Sequence, residues 1–240
     1  MIDIDMTRMA TNDPPLSGAA LCVDIIADLI CPWSYLGKRR LDDALAAVHG
    51  PSVINWFPFQ LNPDMPAEGM AFDEYLTTKF GNLETVQPGL DFLTEAGTEH
   101  GIQFRFDRIE RVPRTLDAHR LMTLADQDRA DTSTLADRIL KGFFEEGLDI
   151  ADRDVLLTLG GECGLSAATI GDTLDDDMSR QQVLALEARV REGGVMGVPD
   201  FLINKQLFVL GAQKTEVLVG VFDRAIFGDE NHRVTSLVIN

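Results

Sequence analysis

The segment Asp28-Leu29-Ile30-Cys31-Pro32-Trp33-Ser34-Tyr35-Leu36-Gly37 decides how this chain is read. It closes an apolar run, ALCVDIIADLI over residues 20–30, whose aliphatic and β-branched content reads as a buried strand. Pro32 suits the first turn of a helix. Leu36, Leu41, Leu45 and Val48 then mark an apolar helix face, which Gly50-Pro51 ends. Cys31 is thereby placed between a strand end and a helix start. Unpaired backbone N–H groups and the positive end of the helix dipole face a thiol there. Both favour the thiolate, so the expected pKa lies below that of a free thiol, and the thiolate is the nucleophile. Ser34, three residues on, is placed to donate its hydroxyl hydrogen to the sulfur. An inert thiol in front of a proline-started helix fits the same position.

Outward from this segment, SVINWFPF (52–59) reads as a second strand, which gives a β–α–β unit with parallel pairing. From about residue 63 to 189 the pattern turns helical, with segments such as AFDEYLTTKFG, TLDAHRLMTLADQD, TLADRILKGFFEEG and SRQQVLALEARVREGG. Several begin at Ser, Thr or Asp and end at Gly. IQFRFDRI reads as a short extended piece. VPDFLIN (198–204) and QLFVLG (206–211) form an antiparallel hairpin, and residues 212–228 a last helix. The expected domains are 21–62 with 190–228, a helical insertion over 63–189, a flexible N-terminal segment 1–20 and a tail 229–240.

Composition narrows the partners. The 240 residues carry 39 Asp plus Glu against 21 Lys plus Arg, a formal net charge of -18. Nucleic acid and anionic membranes need basic surface, so neither is an expected partner. No apolar run approaches the roughly 18 residues of a membrane span, and the N-terminus lacks a signal-peptide layout, so a cytoplasmic protein is expected. The three cysteines, Cys22, Cys31 and Cys163, are too few and too scattered for a disulfide framework or a zinc site. No tightly bound cofactor and no metal are expected. The assembly is left open between monomer and homodimer.

A second element is Gly197-Val198-Pro199, which opens the late hairpin. The order β–Cys-Pro-x-x–α early and Val-Pro opening a β–β–α unit late resembles the DsbA-like thioredoxin-fold superfamily, in particular its FrnE-like branch. The matching segments are CPWSYLGKRRL, WFPFQLNPDMPAEGM, LTEAGTEHGIQFRFDRIERVPRTLDAHRLM, FFEEGLDIADRDVLL, GVPDFLIN and LGAQ, in that order. The resemblance implies an α/β thioredoxin fold, β-α-β … β-β-α, with an inserted all-helical domain. It implies that Cys31 is the nucleophile and that Pro199 is cis. It also implies that Val198 lies against the sulfur and offers its backbone to a bound peptide or to glutathione. Pro32 and Trp33 join this substrate-facing set, Trp33 either covering the sulfur or belonging to a partner-binding patch.

The departures from that pattern carry as much weight. The family's oxidoreductases have a second cysteine where Ser34 stands, so Cys31 has no internal partner to release a mixed disulfide. Cys22 is a poor substitute, nine residues of strand away at about 3.3 Å each. Asp200 stands where an apolar residue or Thr is usual. It either lies near Cys31 and raises its pKa or points to solvent. Arg114 stands where relatives often have Asn, and is either part of an altered substrate site or a surface arginine. His119, four residues from Thr115 and from Thr123, is either an acid–base group or a structural helix histidine.

Three activities follow. The first is a monothiol, DsbA-like oxidoreductase acting on a disulfide-containing protein or a small-molecule thiol. In it Cys31 forms a mixed disulfide that an external thiol such as glutathione resolves. The second is a glutathione-dependent isomerase or transferase, similar to 2-hydroxychromene-2-carboxylate isomerase and the kappa-class glutathione transferases. The third is a binding or chaperone-like module whose redox site has decayed.

Overall fold

The computed structural model describes residues 21–228 and 238–239. The expected flexible segment 1–20 and the expected tail, apart from Val238–Ile239, lie outside these residues. In chain order the elements are β1 (Leu21–Ala27), α1 (Pro32–Ala47), β2 (Ser52–Pro58), β3 (Met70–Ala71), α2 (Phe72–Phe80), α3 (Leu83–Glu99), β4 (Arg111–Val112), α4 (Leu116–Gln127) and α5 (Thr132–Lys141). They continue with α6 (Arg153–Glu162), α7 (Ala167–Asp175), α8 (Asp177–Glu192), β5 (Asp200–Ile203), β6 (Leu207–Leu210), α9 (Thr215–Phe227) and β7 (Val238–Ile239). The described residues up to Phe59 and from Leu184 onward form one compact unit, and Gln60–Val183 form another. These divisions fall a few residues before the expected ones, the second of them inside α8.

The first unit is a five-stranded sheet in the order β2-β1-β5-β6-β7. β1 and β2 run parallel, β5 is antiparallel to both β1 and β6, and β7 adds a parallel edge to β6. Every residue of β1 is buried, as its unbroken aliphatic run requires. Leu21, Val23, Ile25 and Ala27 share a face with Phe201, Ile203, Leu207 and Val209, and this face packs on Leu41 and Ala44 of α1 and on Leu218, Val221 and Phe222 of α9. β1 stops at Ala27 rather than at Ile30, because Asp28–Ile30 turn the chain toward α1. β5 starts only at Asp200, since Pro199 has no N–H to give a ladder.

The β5–β6 turn explains a polar cluster in this apolar unit. Asn204 and Lys205 both take left-handed backbone angles, with φ of 50° and 56°, and the Gln206 amide closes the turn on the Ile203 carbonyl at 3.0 Å. Such mirror-image turns match the twist of paired strands. The turn aims Lys205 at Asp24, which is wholly buried and also accepts from Asn55 Nδ2 at 2.7 Å. Replacing Lys205 with Met strands that carboxylate. Breaking a buried pair costs about 3–5 kcal/mol. Lys205 is 27% exposed, so solvent screens part of the interaction. The expected loss is therefore about 2–3 kcal/mol in urea unfolding, and adding Asp24→Asn recovers most of it.

The second unit is helical apart from one short bridge, Met70–Ala71 paired with Arg111–Val112. α3 begins at Leu83, capped by Asn82, whose side chain accepts from the Thr85 amide at 2.8 Å, and it runs through Pro88. IQFRFDRI is not a strand. Phe106–Arg108 form a single 3-10 turn, held by the Arg105 amide on the Phe144 carbonyl at 2.8 Å and by stacking of Phe104 on Phe106. TLADRILKGFFEEG divides into α5 and a π-helical turn, Gly142–Glu146, which ends at Gly147 in a left-handed conformation.

Candidate functional site

The site is built where the turn after β1 meets α1 and the residues before β5. Cys31 is the N-cap of α1, with Pro32 at the first helical position, and its amide bonds back to the Asp28 carbonyl at 3.2 Å. The Val198–Pro199 peptide is cis. The Cys31 thiol donates toward the Val198 carbonyl, Sγ to O 3.6 Å, which places the residue before the proline against the sulfur. Gly37 lets α1 seat on this segment. A Cβ there would lie 2.9 Å from Pro199 Cγ and 3.3 Å from Ala212 Cβ. Arg40, one turn along, donates from Nη1 to the Ala212 carbonyl at 2.8 Å. Trp33, two residues past the buried Cys31, is 39% exposed.

The electrostatics overturn one expectation. Cys31 is only 4% exposed, and its thiol is pushed up to about 11 rather than lowered. Burial is the largest cause. The Ser34 hydroxyl and the backbone N–H groups of Ser34 and Trp33 favour the anion, and the Asp28 carboxyl opposes it. The helix start thus supplies the donors that the sequence promised, but loss of water around the sulfur outweighs them. The buried Ser34 hydroxyl makes no hydrogen bond of regular geometry, and Cys31 makes no side-chain cap bond to α1. In the thiol form the sulfur's hydrogen points to Val198. Once the sulfur is ionised, Ser34 gains an acceptor.

Asp200 does not point to solvent. It is 4% exposed, accepts from the Gly211 amide at 3.0 Å, and is pushed up to about 7 by burial, which outweighs that one hydrogen bond. The carboxylate that raises the Cys31 pKa is Asp28.

Arg114 and His119 belong to the second unit and are not among the side chains that the first unit brings to Cys31. Arg114 is half-buried just before α4. His119 is 1% exposed inside α4, its amide on the Thr115 carbonyl at 3.0 Å and its carbonyl accepting from the Thr123 hydroxyl at 3.0 Å. Cys22 is buried in β1 with Asn55 Nδ2 3.5 Å from its sulfur, Cys163 closes α6, and all three cysteines are free. The sequence reading passed over Asp28, Gly37 and Arg40. For Asp28 and Gly37 the signal was present in the decisive segment, where an Asp ends an apolar strand and a Gly interrupts a helix. Among the described residues no group of three or more His, Cys, Asp or Glu side chains is arranged to hold a metal ion. No described helix is long and apolar enough to cross a membrane.

Residues 22–223 match the family model of the DSBA-like thioredoxin domain. The chain is similar to a probable DsbA oxidoreductase of Streptomyces coelicolor, SCO1869, with 28% identity, 90% of this chain and 94% of that chain covered, and a TM-score of 0.79. It is 24% identical over 216 residues to the uncharacterized protein YwbO of Bacillus subtilis (strain 168), covering 88% of this chain and 98% of that protein. The cytosolic disulfide reductase DsbM of Pseudomonas aeruginosa, solved with GSH, shares the fold at 18% identity and a TM-score of 0.58, over 86% of this chain and 96% of that chain.

Proposed function

Because the chain belongs to the DSBA-like thioredoxin domain family and is similar to a probable DsbA oxidoreductase, we propose that it is a thiol–disulfide oxidoreductase of monothiol type, in which Cys31 carries the reaction and an external thiol completes it. The observation that carries this reading is the juxtaposition of Cys31 Sγ, the Val198 carbonyl and the unpartnered Ser34 hydroxyl. The ionised Cys31 sulfur attacks one sulfur of a disulfide R–S–S–R′. The R–S–S–R′ bond breaks, a Cys31–S–S–R bond forms, and R′–S⁻ leaves and takes up a proton. Ser34 donates to the Cys31 thiolate before attack. A second thiolate then attacks R, frees Cys31 and leaves as the new disulfide. Ser34 cannot play that second part, so the releasing thiol comes from outside.

Glutathione suits this role as co-substrate, a reading supported by the GSH carried by the disulfide reductase of similar fold. A cytoplasmic location, where such a thiol is abundant, fits the same scheme. Val198 and Pro199 offer backbone to the incoming disulfide, and Trp33 an exposed apolar edge. Incubation with oxidised glutathione is expected to add one glutathione mass, located on Cys31 by peptide mapping and lost in Cys31→Ser. The absence of that adduct overturns the reading. It would favour instead a binding module with its redox chemistry lost, the alternative to which the raised Cys31 pKa points.

A further inference from the structure

Asp200 is a buried carboxyl that the scheme above does not use. β5 packs against β1, β6 and α9, and its Phe201 also meets α1 at Gly37. The charged side chains on these elements are Asp24 on β1, Lys38, Arg39, Arg40, Asp42 and Asp43 on α1, and Glu216, Asp223 and Arg224 on α9, and β6 has none. Lys38 is paired with Asp42, and Arg39 lies over the Tyr35 ring. Asp24 is taken by Lys205 and Asn55. Glu216 and Asp223 are exposed, and α9 packs its apolar residues on the sheet face formed by Phe201 and Ile203. Elsewhere in the unit, Arg40 is bound to the Ala212 carbonyl, and Arg191 is paired with Glu187 over the Phe59 ring. Among the described residues no cation contributes to the Asp200 shift, and the Gly211 amide is the group that favours its ionised form.

That amide holds two residues at once. Gly211 N donates to the Pro199 carbonyl at 2.8 Å and to Asp200 Oδ1 at 3.0 Å. The next residue, Ala212, receives Arg40 of α1, and both Pro199 and Ala212 press on the position of Gly37. A continuous path therefore runs from the Asp200 carboxyl through Gly211 and Ala212 to the helix that starts at Cys31. It also runs through Pro199 to Val198, whose carbonyl takes the thiol. We propose that Asp200 is a positioning residue, a protonation-sensitive latch on the cis-proline segment that sets how readily the Cys31 sulfur is uncovered.

Protonated, Asp200 keeps the Gly211 amide without carrying a buried charge, and the segment stays closed. Ionised, it carries a charge that burial disfavours by more than the one amide bond returns, and the segment loosens toward water. With the carboxyl pushed up to about 7, the change falls in the neutral range. The proposal rests on Cys31 being the reacting thiol, but not on disulfide exchange. Its test is therefore alkylation of Cys31 by iodoacetamide, followed by peptide mass spectrometry so that Cys22 and Cys163 are counted apart.

In Asp200→Asn, which keeps the acceptor and the shape, the logarithm of the rate is expected to rise with pH in one straight line, from thiolate formation alone. In the wild-type chain the line is expected to be steeper below pH 7 and to bend there, running roughly fivefold above the variant at pH 8, the size of one hydrogen bond's worth of opening. The exchange protection of the Gly211 amide in the wild-type chain is expected to fall through the same range. Superimposable alkylation profiles, or Gly211 protection that ignores pH, overturn the latch even if Cys31 takes up glutathione. Profiles that differ in a chain that never takes up glutathione leave the latch standing and remove the exchange reaction.

Discussion

Replacing Ser34 with cysteine is expected to turn a stable mixed disulfide into a transient one. In the present chain a Cys31 adduct has no thiol of its own unit placed to attack it, since Cys22 lies back along β1. Ser34→Cys puts a thiol at the third helical position, one turn from the N-cap. Residues so spaced have Cβ atoms about 5–6 Å apart, and a small local adjustment brings them to the roughly 3.5–4.5 Å that a disulfide needs. The Ser34 hydroxyl is near enough to favour the Cys31 thiolate. A thiol held there reacts at a high effective concentration, so the adduct's lifetime without added thiol should shorten about a hundredfold or more. The products are free glutathione and a protein two hydrogens lighter than its dithiol form. Intact mass against time reads both. A Ser34→Cys adduct that persists as long as the wild-type one shows that the two side chains do not meet, and the account of Ser34 then fails.

The second large effect concerns stability against pH. The Asp200 carboxyl moves from an ordinary 3.8 to about 7 on folding, because burial disfavours its charge. The folded chain therefore binds a proton here between pH 4 and 7 that the unfolded chain does not. Stability associated with this group is fully present below about pH 4 and is lost as pH rises through about 7. A shift from 3.8 to about 7, at about 1.4 kcal/mol per unit, corresponds to roughly 4 kcal/mol once the loss is complete. Asp200→Asn removes the loss. Urea unfolding at pH 8 should find the variant more stable by up to that amount, with the difference shrinking toward pH 5. A variant no more stable at pH 8 than at pH 5, relative to wild type, contradicts the burial of a charged Asp200.

The fold was legible because its signals are local and redundant. An unbroken aliphatic strand, a proline at a helix start and a late strand pair with a short turn each follow from the residues themselves. Their order is that of one fold family, the DSBA-like thioredoxin domain that the chain matches over 22–223. Errors arose where one local rule met a stronger one. IQFRFDRI alternates like a strand, but aromatic stacking and a bond to the Phe144 carbonyl bend it into a turn.

The site was legible in its residues but not in its electrostatics. The sequence places Cys31 at a helix start, and the geometry puts Ser34, Val198 and Pro199 around it. Whether the donors there or burial controls the thiol depends on how the rest of the unit closes over the sulfur, and no local pattern reports that. Asp200 shows the same limit. Strand alternation offers two faces, and here the face opposite the α1–α9 core is closed as well, so neither position would have exposed the carboxyl.

The central claim is that Cys31 forms a mixed disulfide from which only an outside thiol releases it. The most direct measurement follows the intact mass of the glutathione-loaded chain, first alone and then with reduced glutathione. The expected result is an adduct on Cys31 that persists alone and returns to the thiol when reduced glutathione is added. An adduct that leaves without added thiol, or a Cys31 that never accepts glutathione, contradicts the claim.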